Sequence, residues 1–352
     1  MTRIAGADLK ALLAKNGIFI ALLVLIAFFA LVNPNFLRPN NAMNVLLQVA
    51  ELGIVVMPLA LLLIAGVVDL SIGSIASAGA VVSALVMAST GSMWLGLAAG
   101  LAFGMLAGVI NGFLVAYLGL NPIVVTLGFL SVWGGAAMLM TGGRTITRSE
   151  LPEQFHGLGT FALGPIPLRL ALLIAAVALA WYVLARNRVG RAIYAIGGSE
   201  RAAYLMGIKT ARVRFGLYVV SGFAAALAGM MLGAKVQSVS PAIGLNLEMS
   251  ALTVVLLGGV AFAGGSGRIG GVIAGLLFFG VLRNGLVFMQ ASPFLQTVIV
   301  GLTLVVAVAL DESIQRIVKK SWEARGRAAL AAADRDGTSD SPELESATAD
   351  KR

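Results

Sequence analysis

The chain is dominated by apolar runs, each close to the roughly 20 residues that an α-helix needs to cross a bilayer. Because 59% of its residues are hydrophobic and only 12% are charged, it is too apolar for a soluble globular domain. We therefore predict an all-α polytopic membrane protein with about ten transmembrane helices. The predicted spans are about 17–33, 44–66, 71–89, 93–118, 121–140, 168–186, 212–235, 247–264, 268–290 and 294–311.

Lysine and arginine residues set the predicted orientation, because cytoplasmic segments carry an excess of them. With both termini in the cytoplasm, inner segments hold 19 of the 25 basic residues, outer segments hold five, and Arg283 lies within a span. This predicts a cytoplasmic N-terminus over 1–16, a transmembrane domain over 17–311 and a cytoplasmic tail over 312–352. The tail is rich in Ala, Asp, Ser and Glu, which is typical of disorder. We therefore interpret the basic residues behind the net charge of +9 as orientation signals and lipid contacts, not as a nucleic-acid-binding surface.

Two halves of the chain, about 44–140 and 212–311, contain a degenerate internal repeat. Equivalent spans are five apart in a ten-span chain, so the halves are inverted relative to each other, as in many transporters. Each half also has a stripe of glycines spaced four residues apart, which predicts close helix packing. The matching elements are Asp69-Leu-Ser71 with Glu248-Met-Ser250, Gly79-Ala-Val81 with Gly258-Gly-Val260, and the stripe Gly96, Gly100, Gly104, Gly108 and Gly112 with Gly267, Gly271 and Gly275.

Catalytic and nucleotide-binding motifs are missing from the sequence. It contains no cysteine and no P-loop, and the GxGxxG match at Gly265–Gly270 lies between two predicted spans instead of after a strand. The one histidine, His156, falls in the predicted outer loop, where we expect it to be solvated. We therefore expect no enzymatic activity, no metal site and no cofactor in this chain.

A basic segment at 187–211 lies between the two halves and is predicted to be cytoplasmic. Ser199 is a favourable helix N-cap, Glu200 places negative charge at the positive end of the helix dipole, and Gly207 is a natural stop. These signals predict a short helix of about two turns on the inner surface. Either it binds a partner, or the segment is a topogenic loop without one.

Polar side chains within the spans are candidates for a translocation path, because a charge near a helix centre costs about 2.5–3.5 kcal/mol on insertion scales. Gln48 and Glu51 lie one turn apart on the same face of the second span, and Arg283 and Asn284 interrupt the ninth. For Glu51 and Arg283, a role in the path and a role in a structural ion pair or hydrogen-bonded network both remain open. The candidate set is Gln48, Glu51, Asp69, Ser71, Asn111, Asn121, Glu248, Arg283 and Asn284.

Several ordered motifs resemble those of permease subunits from ribose-type and other simple-sugar ABC importers, a family that also includes autoinducer-2 permeases. The similarity extends from about residue 40 to Asp311. Val67 departs from the usual second glycine of the first motif, and Ser199 stands where Asn is common. The motifs are Gly66-Val-Val-Asp-Leu-Ser-Ile-Gly-Ser74 (GGxDLSVGS in the family), Asn121-Pro-Ile-Val-Val-Thr-Leu-Gly128 (NPFIVTLG), the loop from Val189 to Ile208, and the block from Leu247 to Gly271.

The resemblance implies a bacterial inner-membrane permease that forms a homodimer or pairs with a related permease. It implies a periplasmic or lipid-anchored sugar-binding protein that delivers the solute, and two cytoplasmic ATPase subunits that bind ATP and Mg²⁺. The 187–211 segment then becomes the loop that couples the permease to the ATPase. The coupling residues that the resemblance implies are Gly190, Arg191, Gly197, Gly198, Ser199, Glu200, Ala202, Ala203 and Gly207.

Alternative functions stay open from the sequence. One is an ion-coupled secondary transporter that acts alone, although such carriers usually contain more buried carboxylates. Another is an ABC permease for an amino acid, a nucleoside or autoinducer-2. The motifs do not distinguish ribose from another pentose, a deoxyhexose or a polyol.

Overall fold

The computed structural model describes the backbone of residues 2–309 and the side chains from residue 17 onward. The predicted tail at 312–352 lies outside the described residues. Two 3-10 turns and a short hairpin, β1 (Ala162–Leu163) with β2 (Ile166–Pro167), accompany the helices. The helices are α1 (Thr2–Val32), α2 (Pro39–Gln48), α3 (Ala50–Ile64), α4 (Ile72–Thr90), α5 (Met93–Ala116), α6 (Pro122–Thr141), α7 (Glu153–Leu158), α8 (Leu168–Arg186), α9 (Arg188–Gly198), α10 (Glu200–Leu205), α11 (Thr210–Val236), α12 (Leu247–Leu257), α13 (Ile269–Phe288) and α14 (Pro293–Ala309).

Six helices of the described part are long and apolar enough to cross a bilayer, namely α4, α5, α6, α8, α11 and α13. The pair α2 and α3 adds a seventh if its 50° bend is counted within one span. The apolar segments at 17–32, 247–257 and 293–309 are also helical but shorter. The described residues therefore give six or seven spans by length and composition, fewer than the ten predicted.

Backbone breaks account for two of these differences. The predicted second span divides at Val49, so that Gln48 ends α2 and Glu51 lies in the first turn of α3. The expectation that Gln48 and Glu51 share one helix face is therefore wrong. The predicted eighth span ends early because Gly258 and Gly259 turn the chain, with φ of +76° at Gly259, a conformation that other residues rarely adopt.

Helix α11 lies at the centre of the fold and packs against α3, α4 and α5. Its contact with α5 is backbone to backbone: a Cβ on Gly104 would collide with the Gly222 carbonyl oxygen, and a Cβ on Gly222 would collide with that of Gly104. A Cβ on Gly108 would lie 2.9 Å from the Cα of Val219. The close packing predicted for this glycine stripe is confirmed, since larger side chains would separate the helices.

The second glycine stripe packs in the same manner. A Cβ on Gly271 would collide with the Gly258 carbonyl oxygen, and one on Gly275 would lie 2.6 Å from the carbonyl oxygen of Val254. Helix α13 thus packs on α12 through glycines. Helix α5 packs on α4 in the corresponding way, where a Cβ on Gly100 would lie 2.7 Å from the Gly79 carbonyl oxygen.

The segment between α6 and α8 folds back onto the end of α11. Ile146 and Val239 exchange backbone hydrogen bonds of 2.9 Å, and the Arg148 guanidinium bonds the Gln237 side chain. His156 is buried here, with Nε2 3.1 Å from the carbonyl oxygen of Arg148, so the expected solvated side chain is wrong. The residues of a loop between two spans are not necessarily exposed to solvent, because apolar residues of the loop, such as Phe155, can cover their neighbours.

Candidate functional site: the coupling loop and the buried polar groups

The basic 187–211 segment, named the coupling loop after the role that the resemblance implies, folds into two capped helices. Asn187 accepts a hydrogen bond from the Val189 N–H at 3.0 Å and starts α9. Ser199 is extended, which ends α9, and its hydroxyl accepts from the Ala202 N–H at 3.3 Å to start α10. Gly207 follows α10 with φ of +82°. The short helix and both of its predicted end signals are confirmed, while the preceding α9 was not foreseen.

Helix α9 is seated on backbone contacts. A Cβ on Gly197 would collide with the Ile64 carbonyl oxygen and would lie 3.0 Å from the Cα of Gly265. The Gly265 N–H donates to that same Ile64 oxygen at 2.8 Å. Gly197 therefore lies where the end of α3 meets the connection between α12 and α13.

Two further residues fix α9 in place. The Tyr194 hydroxyl donates to the Gly267 carbonyl oxygen at 2.8 Å, and burial raises the pKa of Tyr194 while the charge of Arg268 opposes the shift. Gly190 lies against the end of α8, where a Cβ would be 2.6 Å from the Cα of Leu184. Arg191 is exposed, so it contributes charge to the surface and not to this packing.

Helix α10 presents an apolar surface to solvent. Tyr204, Leu205 and Met206 are 69%, 77% and 83% exposed, although Ala203 on the other side is buried. Glu200 pairs with Arg214 at the start of α11, with 2.6 Å between Oε1 and Nη1. The charge pair with Arg214 thus anchors α10 to the start of α11, and three large apolar side chains remain exposed.

A buried polar network lies between α3, α4, α5 and α11. The Asp69 carboxylate accepts from the Ser71 N–H and hydroxyl at 3.0 and 2.6 Å, and from the Ser221 hydroxyl at 3.1 Å. Asn111 donates from Nδ2 to the Ser71 hydroxyl at 2.7 Å, and its Oδ1 is buried without a partner. The structure therefore brings three of the predicted path residues together: Asp69, Ser71 and Asn111.

Glu51 belongs to a separate group of charges. Its carboxylate is 2% exposed and accepts from Arg169 Nη1 at 2.8 Å, with Lys235 Nζ 3.6 Å from its other oxygen. Burial of such a group is costly unless it is paired. The structural ion pair, one of the two readings left open for Glu51, is therefore present.

The remaining predicted path residues are dispersed. Glu248 is buried against α4, where a Cβ on Gly73 would meet its carboxylate. Asn284 accepts from the Asn41 side chain at 2.9 Å. Asn121 is exposed and caps α6 through its side-chain oxygen, 2.9 Å from the Ile123 nitrogen. Gln48 and Arg283 are also exposed, so the structure does not bring these residues to one cavity with Asp69.

Several partners were missed at the level of sequence. Arg169 and Lys235 are two of the five basic residues assigned above to outer segments as orientation signals, and Asn41, Tyr218 and Ser221 are not among the predicted path residues. A polar residue within an apolar helix was the available signal for Tyr218 and Ser221, but the pairing itself depends on tertiary contacts. Among the described residues, no group of three or more acidic or histidine side chains could hold a metal ion.

Comparison with known proteins places the chain in a family. Residues 41–308 match the family described as branched-chain amino acid transport system / permease component. No solved structure matches the chain.

The similarity to individual relatives extends over most of this chain and most of each relative's own length. The ribose import permease protein RbsC of Bacillus subtilis (strain 168) is 37% identical over 84% of this chain and 92% of its own length. RbsC of Escherichia coli (strain K12) is 33% identical over 87% and 96%, and the L-arabinose transport system permease protein AraH of the same strain is 33% identical over 86% and 92%. The resemblance inferred from the motifs is confirmed. The chain is a multi-pass membrane protein that belongs to this family of transport-system permease components.

Proposed function

We propose that the chain is the transmembrane permease subunit of an ATP-binding-cassette importer for a small sugar, with a pentose as the leading substrate class. The observation that carries this proposal is the extent of similarity to ribose and L-arabinose permeases, over 84–87% of the chain. The family description refers to branched-chain amino acids, but relatives that are similar over most of the chain are named for ribose and L-arabinose, which are pentoses.

The coupling loop is the proposed contact with a cytoplasmic ATPase, which would bind ATP and Mg²⁺ outside this chain. Tyr204, Leu205 and Met206 supply an uncovered apolar surface on an otherwise basic segment. Each of these side chains would contribute about 1.5–3 kcal/mol to the binding free energy if a complementary groove on the partner covered it fully. The buried faces of α9 and α10 would carry a displacement of this loop to the end of α3.

The proposed topology has ten spans, both termini in the cytoplasm and inverted halves. The arrangement of α5 on α4 and of α13 on α12, each through a glycine stripe, supports the repeat. The starts of α4 and α12 also meet, since Gly73 lies against Glu248 and a Cβ on Gly244 would collide with the Gly73 carbonyl oxygen. Facing helix N-termini at a repeat interface are a common way to build a solute site.

The proposed assembly includes a second permease subunit, identical or related, and a periplasmic or lipid-anchored sugar-binding protein. The network of Asp69, Ser71 and Asn111 is the best-connected part of the candidate path. The exposed positions Gln48, Asn121 and Arg283 would reach a path only if it lies outside the bundle described here, as a path between two subunits would.

Copurification tests the proposal directly. The chain is purified in mild detergent from its native membrane, and the proteins that accompany it are identified by mass spectrometry. The test variant replaces Tyr204, Leu205 and Met206 with Ser. The matched control replaces Phe161 and Leu163, which are 51% and 54% exposed, in the predicted outer loop.

An ATPase with a P-loop that accompanies the wild type and the control, but not the test variant, is the expected result. Loss of even one buried apolar contact lowers affinity about tenfold or more. ATP-dependent uptake of radiolabelled ribose or arabinose by the reconstituted complex then separates these sugars. Purification of the chain alone, with uptake driven by an ion gradient, would overturn the proposal in favour of a secondary transporter.

A further inference from the structure

One face of α11 carries three polar side chains that reach the same short segment of the chain. Arg214, Tyr218 and Ser221 are spaced i, i+4 and i+7, which places them in a row on a helix. Arg214 Nη2 donates to the Ala65 carbonyl oxygen at 3.4 Å, and the Tyr218 hydroxyl donates to the Val68 carbonyl oxygen at 2.8 Å. The third contact, from Ser221 to the Asp69 carboxylate, completes the row.

The segment that they hold, residues 65–71, has no regular secondary structure and is buried apart from Gly66. Non-helical backbone inside a helix bundle needs partners for its carbonyl groups, because an unpaired buried carbonyl is costly. The Val68 oxygen obtains its partner from Tyr218, a fully buried side chain. The shape of the segment is therefore set from α11.

The same row begins at the coupling loop. Arg214 is the residue that pairs with Glu200 of α10, through Nη1, while its Nη2 reaches Ala65. Its side chain is 14% exposed, whereas that of Glu200 is 50% exposed. The guanidinium thus joins the exposed helix α10 to the buried end of α3, a bridge that its planar, multiple-donor geometry allows.

The segment is connected in turn to α5. Asp69 holds Ser71, and Ser71 accepts from Asn111. From Arg214 to Ser221 the row extends about 10 Å along α11. A displacement of α10 by a partner would therefore be passed along one rigid helix to the centre of the polar network.

We propose that Arg214, Tyr218 and Ser221 are positioning residues, which couple movement of α10 to the conformation of segment 65–71. This inference rests on the proposed function, because it requires a partner that moves α10. The three residues contact the segment and not the transported solute. Their loss should uncouple the partner's ATP hydrolysis from transport without preventing either partner binding or folding.

The test uses the complete complex, purified from its native membrane and reconstituted in liposomes. Uptake of ribose or arabinose, whichever the wild type transports, and hydrolysis of ATP are measured in the same vesicles. The variants are Arg214→Gln and Tyr218→Phe. The matched control is Arg212→Gln, an exposed arginine two residues away on α11.

Solute transported per ATP hydrolysed should fall about tenfold in Arg214→Gln, the size expected for loss of one charge-assisted hydrogen bond. It should fall by a smaller factor in Tyr218→Phe and stay unchanged in the control. ATP hydrolysis should stay near wild type, whereas the apparent melting temperature should fall in Tyr218→Phe, because the buried Val68 carbonyl loses its partner. A row that served only as a structural strut would lower uptake and hydrolysis in proportion and leave the solute transported per ATP unchanged, and that result would overturn the inference.

A charge exchange separates the ion pair from the row. In the double variant Glu200→Arg and Arg214→Glu the pair can form again, but a carboxylate cannot donate to the Ala65 carbonyl. The coupling ratio should therefore remain low. Full recovery of the coupling ratio would overturn the inference about the row and leave the proposed function intact. Absence of ATP-driven uptake by the wild-type complex would overturn both the proposed function and the inference.

Discussion

Gly197 and Gly198 are adjacent in α9, yet the structure predicts opposite effects when each is replaced by alanine. A methyl group on Gly197 would enter the contact between the Ile64 carbonyl oxygen and the Gly265 N–H, which are themselves hydrogen bonded at 2.8 Å. A methyl group on Gly198 would meet nothing within 4 Å. Both residues lack a positive φ, so backbone strain does not separate them.

The magnitudes follow from two opposing effects. Overpacking of a close contact costs about 1–3 kcal/mol, and here the obstacles are backbone atoms that cannot rotate away. Alanine in place of glycine within a helix gains about 0.5–1 kcal/mol. Gly197→Ala should therefore destabilise the chain by about 0.5–2 kcal/mol, and Gly198→Ala should stabilise it by at most about 1 kcal/mol, less if the end of α9 frays.

Thermal unfolding of the purified chain in detergent, at one scan rate, measures the two effects side by side. The apparent melting temperature should fall for Gly197→Ala and stay the same or rise for Gly198→Ala. Uptake by the complete complex should fall in the first variant, because α9 must move away from α3, and remain in the second. Equal shifts in the same direction would refute the argument that α9 is seated through Gly197.

Three other perturbations test the buried and outer polar groups. Arg169→Met should lower the free energy of unfolding by about 3–5 kcal/mol in thermal or denaturant unfolding, because the Glu51 carboxylate loses its hydrogen-bonded partner. A second change, Glu51→Gln, should recover most of this loss, and additive losses in the double variant would contradict the pairing. Asp69→Ala should destabilise by about 2–3 kcal/mol and Asp69→Asn by less than half as much, since only the latter retains an acceptor, and equal losses in the same assay would count against the network. The pKa of Glu150 is lowered first by the Thr147 N–H and then by Arg144, so the contribution of Glu150 to the stability of the predicted outer loop is present above the ordinary carboxyl pKa and is lost as pH falls through the lowered value. Hydrogen-exchange protection of the Thr147 amide, corrected for intrinsic rates, should show this pH dependence in the wild type and not in Glu150→Gln.

Local signals predicted α10 well because they act within a few residues. Ser199, Glu200 and Gly207 define the ends of α10 through capping, the helix dipole and a left-handed backbone. The glycine stripes were equally informative, because small residues at regular spacing have few uses in an apolar helix other than close packing. Family motifs added the transport class, which composition alone could not supply.

Hydropathy could not determine how the apolar runs divide into helices. The run at 44–66 is apolar enough on average to predict one span, although the polar residues Gln48 and Glu51 flank the bend at Val49. Polar pairings were also inaccessible, since Glu51 and Arg169 are 118 residues apart and meet only in the folded chain. Asn121 shows the reverse problem: a polar residue at the start of a span resembles a path residue, but its side chain caps a helix.

The contact between Gly197, Ile64 and Gly265 helps to decide whether transport is driven by a partner that acts on the coupling loop or by an ion that binds within the bundle. Backbones in direct contact cannot absorb a displacement by changing rotamers, so movement of α9 must also shift the end of α3 and the connection between α12 and α13. The end of α3 lies in one half of the predicted repeat, about 44–140, and the connection between α12 and α13 lies in the other, about 212–311. A force applied from outside to the coupling loop would therefore reach both halves at one place. An ion-coupled carrier would need its driving site among buried carboxylates. Of the three that are buried in the described part of the chain, Glu51 is paired with Arg169 and Asp69 accepts three hydrogen bonds, which leaves Glu248. The geometry thus favours a partner that acts on the loop over an ion that acts within the bundle.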